Sequence, residues 1–182
     1  GRQNTILGGS AGDALSDADF NVAVGQSALS ADTLGSRATA VGYGALSNQN
    51  FTSATDSYNT AVGFYAGLNI STGRFNSILG ANAGDAITTG AQNTALGYEA
   101  LSANQTSNNN VAVGYQALRL NTAANNVAVG VQAMDANTSG TQNTAVGREA
   151  LNANTEADSG VALGYRALKS NTTGTQNVAV GS

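Results

Sequence analysis

A glycine preceded by Val or Leu returns along the whole chain at nearly fixed spacing, and this period constrains the fold more than any other feature. The anchors are Gly8, Gly25, Gly42, Gly63, Gly80, Gly97, Gly114, Gly130, Gly147, Gly164 and Gly181. Eight of the ten intervals are 17 residues; the step from Gly42 to Gly63 is 21 and that from Gly114 to Gly130 is 16. Such regularity marks an array of stacked units rather than one globular core. Residues 1–182 therefore read as a single repeat array of about eleven coils, cut from a longer chain.

Each anchor is preceded by Thr, Val or Ser, then Ala or Ile, then Val or Leu. That alternation describes a short strand with two different faces. Val, Thr and Gly all disfavour helix, so the expected class is all-β, a β-solenoid with one strand of about five residues in each coil of about 17. The ladder Val24, Val41, Val62, Leu96, Val113, Val129, Val146 and Leu163 is expected to pack inside the stack. Gly25, Gly42, Gly97 and Gly114 represent corners that need a positive φ or a close backbone approach. Three residues past the anchor stands Ala in ten coils of ten, including Ala28, Ala45, Ala100 and Ala117. A position that accepts only a methyl is a packing constraint. Leu or Met follows in seven coils and Gly in three (Gly12, Gly67, Gly84), and this segment reads either as a second short strand or as one helical turn.

The rest of each coil is polar and turn-like, as in Asn137-Thr138-Ser139-Gly140. Asn reopens the nucleus in nine of eleven coils, Ala38 and Gly160 being the exceptions. Those amides either form a hydrogen-bonded ladder along the stack or serve the turn alone. Residues 48–57 hold the four extra residues of the long interval and are expected to leave the stack as a loop. The first and fifth coils, ILGGSAGDAL and ILGANAGDAI, resemble each other more than their neighbours, pointing to an older duplication or a different corner.

Composition then removes whole classes of function. There is no Cys and no His, so thiolate or imidazole metal sites, Cys nucleophiles and His bases are impossible. Seven Lys and Arg residues and a net charge of -4 leave no basic stripe for nucleic acid. No apolar run reaches membrane-spanning length, and no signal peptide is apparent. The densest acidic group, Asp13 to Asp19, lacks the glycine-rich Asp repeats of calcium β-rolls and reads as a solvated loop. We expect no catalytic residues, no metal, no cofactor and no enzyme activity.

Two features are candidates for a binding surface. Tyr43, Phe64, Tyr98, Tyr115 and Tyr165 stand just after their anchors, where other coils carry Gly, Gln, Ala, Val or Arg. A position that admits both Tyr and Arg faces outward; its rings either stack on a ligand such as a sugar or simply cover the coil wall. Phe51, at the centre of the 48–57 segment, is the other candidate, because loops on a rigid scaffold commonly carry recognition. A lone narrow coil of this composition is short of apolar area, so the chain is expected to associate with itself as a homotrimer, intertwined or side by side.

The repeats NTALGYEAL, NVAVGYQAL, NTAVGREAL and GVALGYRAL, with connectors such as NTTGTQ, resemble the heads of YadA-like trimeric autotransporter adhesins. They are similar, more closely, to repeat arrays in bacteriophage tail fibres and related bacterial surface proteins that often end in an intramolecular chaperone of the endosialidase type. The resemblance covers essentially the whole chain, although these coils are longer than those of the adhesin heads and carry Ala-Leu where the heads tend to have Ser or Ala and Gly. It implies a trimeric left-handed β-roll, located extracellularly on a virion or cell surface. The function it implies is a structural and adhesive rod that spaces or presents a receptor-binding end, with a cell-surface glycan or receptor as partner. The alternatives are a self-assembling extracellular filament and, ranked lower, an ice-binding solenoid, because Thr is spread between nucleus and connector rather than held in ordered rows.

Overall fold

The computed structural model describes residues 1–182 and contains no helix. It is a β-solenoid. One strand of each coil joins a parallel sheet of eleven strands: β1 (Thr5–Leu7), β2 (Val22–Val24), β4 (Thr39–Val41), β6 (Thr60–Val62), β7 (Ser77–Leu79), β8 (Thr94–Leu96), β9 (Val111–Val113), β10 (Val127–Val129), β11 (Thr144–Val146), β12 (Val161–Leu163) and β13 (Val178–Val180). The register follows the repeat through both the long and the short interval, pairing Val41 with Val62 and Ala112 with Ala128. β3 (Gly35–Ser36) and β5 (Thr55–Asp56) make a separate two-stranded parallel sheet.

The strands hold three residues because left-handed backbone closes them at both ends. In the coil of Gly97 the residues at positive φ are Gln92 (59°), Glu99 (52°) and Leu101 (57°), besides the anchor itself (131°). The segment after the anchor is thus neither strand nor helical turn. It is a corner built from alternate left-handed residues, whose N–H groups reach neighbouring coils: Glu99 N–H donates to Ala81 O at 3.2 Å and Leu101 N–H to Ala117 O at 3.0 Å. Only 21 of 113 backbone hydrogen bonds lie within strands, so the corners and connectors are bonded as a ladder too.

The anchor glycines meet both demands read from the sequence. Their φ values lie at 129° to 140°, and a Cβ on Gly25, Gly42, Gly97 or Gly114 would fall 2.3 to 2.5 Å from the carbonyl oxygen of the next anchor. No side chain fits there.

The core differs from the expected one. The middle strand residue points inward (Ala23, Ala40, Ala61, Ile78, Ala95), and with the Ala three past the anchor (Ala28, Ala45, Ala100, Ala117) and the following Leu or Met it fills the coil. Val24, Val41, Val62, Leu96, Val113, Val129, Val146 and Leu163 form the expected in-register ladder, but on the outer face of the sheet, where Leu96 is 40% exposed. The physical reason is volume. Side chains alternate across a strand, and a coil closed this tightly has room for a methyl against the opposing Ala and Leu rows, leaving the larger residue outside.

Coils with Gly in place of Leu are filled from the opposite wall. Gly12, Gly67 and Gly84 are each followed three residues later by Leu15, Ile70 or Ile87, whose Cδ1 lies 2.9 Å from where a glycine Cβ would stand. Where Leu or Met occupies the first position, the second carries a polar residue such as Asn104, Asn121, Asn137 or Asn154. Ile6 and Ile78 add further volume beside Gly12 and Gly84, which accounts for the likeness of the first and fifth coils.

The 48–57 segment leaves the stack only at residues 52–54, which are exposed. Thr55–Asp56 pairs with Gly35–Ser36 of the preceding coil, and Phe51, expected at an exposed loop tip, is 5% exposed. The buried Asp32 carboxylate fastens it, accepting from Gly35 N–H (2.9 Å), Phe51 N–H (3.2 Å) and Gln49 Nε2 (2.6 Å). A carboxylate without a cation is tolerated in the interior when several donors satisfy it.

Candidate functional site

The interior carries amide ladders and the surface carries aromatic and charged rows. The Asn that reopens each nucleus is a rung as well as a turn former. Asn76 Oδ1 accepts the backbone N–H of Asn93 at 3.0 Å, while Asn76 Nδ2 donates to Gly90 O at 2.9 Å. The pattern repeats along the rod, and at the exceptions Ala38 and Gly160 the backbone N–H still donates to the preceding Asn, at 2.8 Å in both cases. A second row, unforeseen from the sequence, lies seven residues after the anchor: Asn137 Nδ2 donates to Asn121 Oδ1 (2.6 Å) and Asn154 Nδ2 to Asn137 Oδ1 (2.7 Å). Its signal was present as a recurrent Asn at one coil position.

On the outside, Tyr43, Phe64, Tyr98, Tyr115 and Tyr165 are 42% to 49% exposed. Tyr43 stacks on Phe64 with centroids 5.4 Å apart and planes 13° apart, and Tyr98 on Tyr115 at 5.6 Å and 14°. Rings stacked between adjacent coils spend one face each on the other. A sugar that stacks on an aromatic face is left only the two outer faces of such a pair. Tyr165 is set apart, because Val131 and Arg148 hold the same coil position before it.

A second surface column runs five residues before the anchors: Arg37 over Phe20 at 4.8 Å, Arg37 near Tyr58 at 5.9 Å, and Tyr58 stacked on Phe75 at 5.5 Å. Arg37 is also paired with Asp56 at 3.0 Å, joining this column to the 48–57 segment.

The densest electrostatic feature surrounds Glu149. Its side chain is largely buried, and its carboxylate meets Arg148 Nη2 at 3.2 Å, Arg166 Nε at 2.9 Å and the Lys169 ammonium in close contact. Lys169 first and Arg166 second hold the carboxyl down to about 2. Elsewhere the charges pair singly or bond to neutral groups: Arg119 with Asp135 at 2.8 Å, and Glu99, held below its ordinary value chiefly by the amide of Gln116. Asp85, half-buried with one oxygen unpartnered, is pushed up by desolvation. Neither at Asp13 to Asp19 nor elsewhere do three His, Cys, Asp or Glu side chains gather as a metal site would need. No helix is long and apolar enough to cross a membrane.

No family model, no curated protein and no solved structure matches this chain.

Proposed function

We propose that the chain is a non-enzymatic structural and adhesive rod, a segment of a tail fibre or cell-surface adhesin that holds a receptor-binding end away from a virion or cell, working as a homotrimer outside the cell. The observation that carries this reading is the outer face of the eleven-stranded sheet. Its two rows are Thr, Val or Ser and Val or Leu, and they run the length of the rod with Leu79, Leu96, Val146 and Leu163 more than a third exposed. An apolar stripe that long is a surface to be covered. A second and third copy of the same chain, related by closed symmetry, cover it along its whole length. Mechanically, a stack bonded coil to coil on every side resists extension, and its ten steps of about 4.8 Å give a length near 50 Å.

Sedimentation velocity with light scattering tests the association. The expected result is an elongated particle of three chains, reduced to one by the paired outer-face substitutions Leu96→Glu and Val129→Glu; a well-folded monomer from the unaltered chain rejects the trimer. Electron microscopy separates a discrete rod from the open-ended polymer of a filament subunit.

A further inference from the structure

We propose that Arg148, Tyr165, Arg166 and Lys169 form a recognition site for the oxyanion groups, carboxylate or sulfate, of an acidic polysaccharide. This deepens the adhesive half of the function proposed above without depending on trimer formation.

The chain has seven basic side chains, and three of them converge on Glu149. One carboxylate balances one of the three, so two positive charges remain on this patch of an acidic protein. Arg37 and Arg119, by contrast, each face a carboxylate of their own. The hydrogen-bonding capacity is also unspent. Arg166 engages Glu149 through Nε, leaving both terminal nitrogens free of protein acceptors, and Arg148 engages it through Nη2 alone. Guanidinium edges of this kind match the paired oxygens of a planar or tetrahedral oxyanion.

The groups are held and open at once. Glu149 fixes all three cations from below, while the Tyr165 ring lies 4.8 Å from the Arg166 guanidinium carbon and 6.0 Å from that of Arg148. The side chains of Arg148, Arg166 and Lys169 are 60%, 46% and 39% exposed. They stand on the wall that follows the strand, off the outer sheet face assigned to self-association.

The open setting selects the class of ligand. No cavity encloses the site, so a free anion competes with water and salt and gains little. A polymer that repeats its charged group gains by multiple attachment. The same coil position continues towards the N-terminus as Val131, Tyr115 and Tyr98, offering apolar edges and hydroxyls to sugar residues on that side of the anionic one. A net charge of -4 disfavours the dense phosphates of nucleic acid more than a polysaccharide with one charge per repeat.

The full chain is to be titrated against a uronate polymer, a sulfated polysaccharide, a neutral polysaccharide, single-stranded DNA and inorganic phosphate, at low and physiological salt. Salt-sensitive binding to the uronate or the sulfated polymer is expected, the stronger of the two naming the group. Arg148→Gln with Arg166→Gln should weaken it about tenfold or more, while Arg74→Gln, remote from the site, should not. Glu149→Gln removes the anchor and the internal competitor together and should change binding to the uronate or sulfated polymer by a different factor from binding to DNA, whereas a mere gain of positive charge raises both alike. Circular dichroism establishes that each variant is folded. The proposal is overturned by binding no stronger than to the neutral polymer, by DNA binding of equal strength, or by indifference to the Arg148 and Arg166 changes. A trimer that ignores every polymer rejects the site alone; a monomer that binds uronate rejects the trimer alone.

Discussion

The side-chain oxygen of Asn93 accepts the backbone N–H of Asn110, one coil further on, at 3.0 Å, while its amide nitrogen donates to Ser107 O at 2.9 Å. Both partners are backbone groups; the N–H of Asn110 has no substitute acceptor, while Ser107 O keeps Asn104 Nδ2 at 3.0 Å. Asn93→Ala should therefore destabilise the fold by about 1–3 kcal/mol through the orphaned N–H. The Asn110 side chain makes two bonds fewer, since its amide nitrogen has no partner whereas that of Asn93 donates to both Ser107 O and Asn76 Oδ1. Urea denaturation should rank Asn110→Ala as the milder change.

A methyl at Gly97 would lie 2.5 Å from the carbonyl oxygen of Gly114, at a φ of 131° that L-residues rarely adopt. Gly97→Ala should cost more than about 2 kcal/mol, from strain and collision together. Gly9→Ala is the matched control: a Cβ there meets nothing within 4 Å. Its melting transition should stay close to that of the unaltered chain, within about 0.5 kcal/mol.

The exchange of core volume between two walls is testable as a double-mutant cycle. Gly67→Leu alone drives a side chain into Ile70, and Ile70→Asn alone empties the coil. Combined, they recreate the arrangement of Leu101 with Asn104, whose left-handed backbone (57°) matches that of Gly67 (58°). The pair should be less destabilised than the sum of its singles by about 1–3 kcal/mol. Strict additivity in thermal or urea unfolding contradicts the exchange.

Acid should expose the Glu149 cluster. Its carboxyl is lowered from an ordinary 4.5 to about 2, so the stabilisation is fully present above the unfolded value and lost as pH falls from about 4.5 towards 2. Over that window the unaltered chain should lose more stability than Glu149→Gln, and above pH 6 the gap between them should be constant. Parallel acid-melting curves for the two proteins reject the ion cluster as a contributor.

The period alone placed Gly97 and Ala100 correctly, because a residue type repeated without exception reports a steric limit directly. Leu96 was different. Alternation along Thr94-Ala95-Leu96 states that a strand has two faces, and hydrophobicity suggested that the larger residue faces in, but the coil is too narrow to hold it. Phe51 had no counterpart in other coils by which to judge its direction, and the carboxylate that fastens its segment, Asp32, lies 19 residues earlier. Arg148, Glu149, Arg166 and Lys169 looked like scattered charges until the register of neighbouring coils brought them together. The Asn row at 104, 121, 137 and 154 was legible as a repeat yet hidden among connectors that are rich in other Asn, Thr and Ser.

The Asn-to-backbone contact joins each coil only to the next, and it recurs at every step except those that follow Ala38 and Gly160. Removing or adding one 17-residue unit lets the same backbone ladder form between the coils that then adjoin and changes the reach by about 4.8 Å. Length is therefore a heritable quantity that duplication and deletion can adjust in equal increments, much as rungs set the height of a ladder, with no need for compensating change at either end.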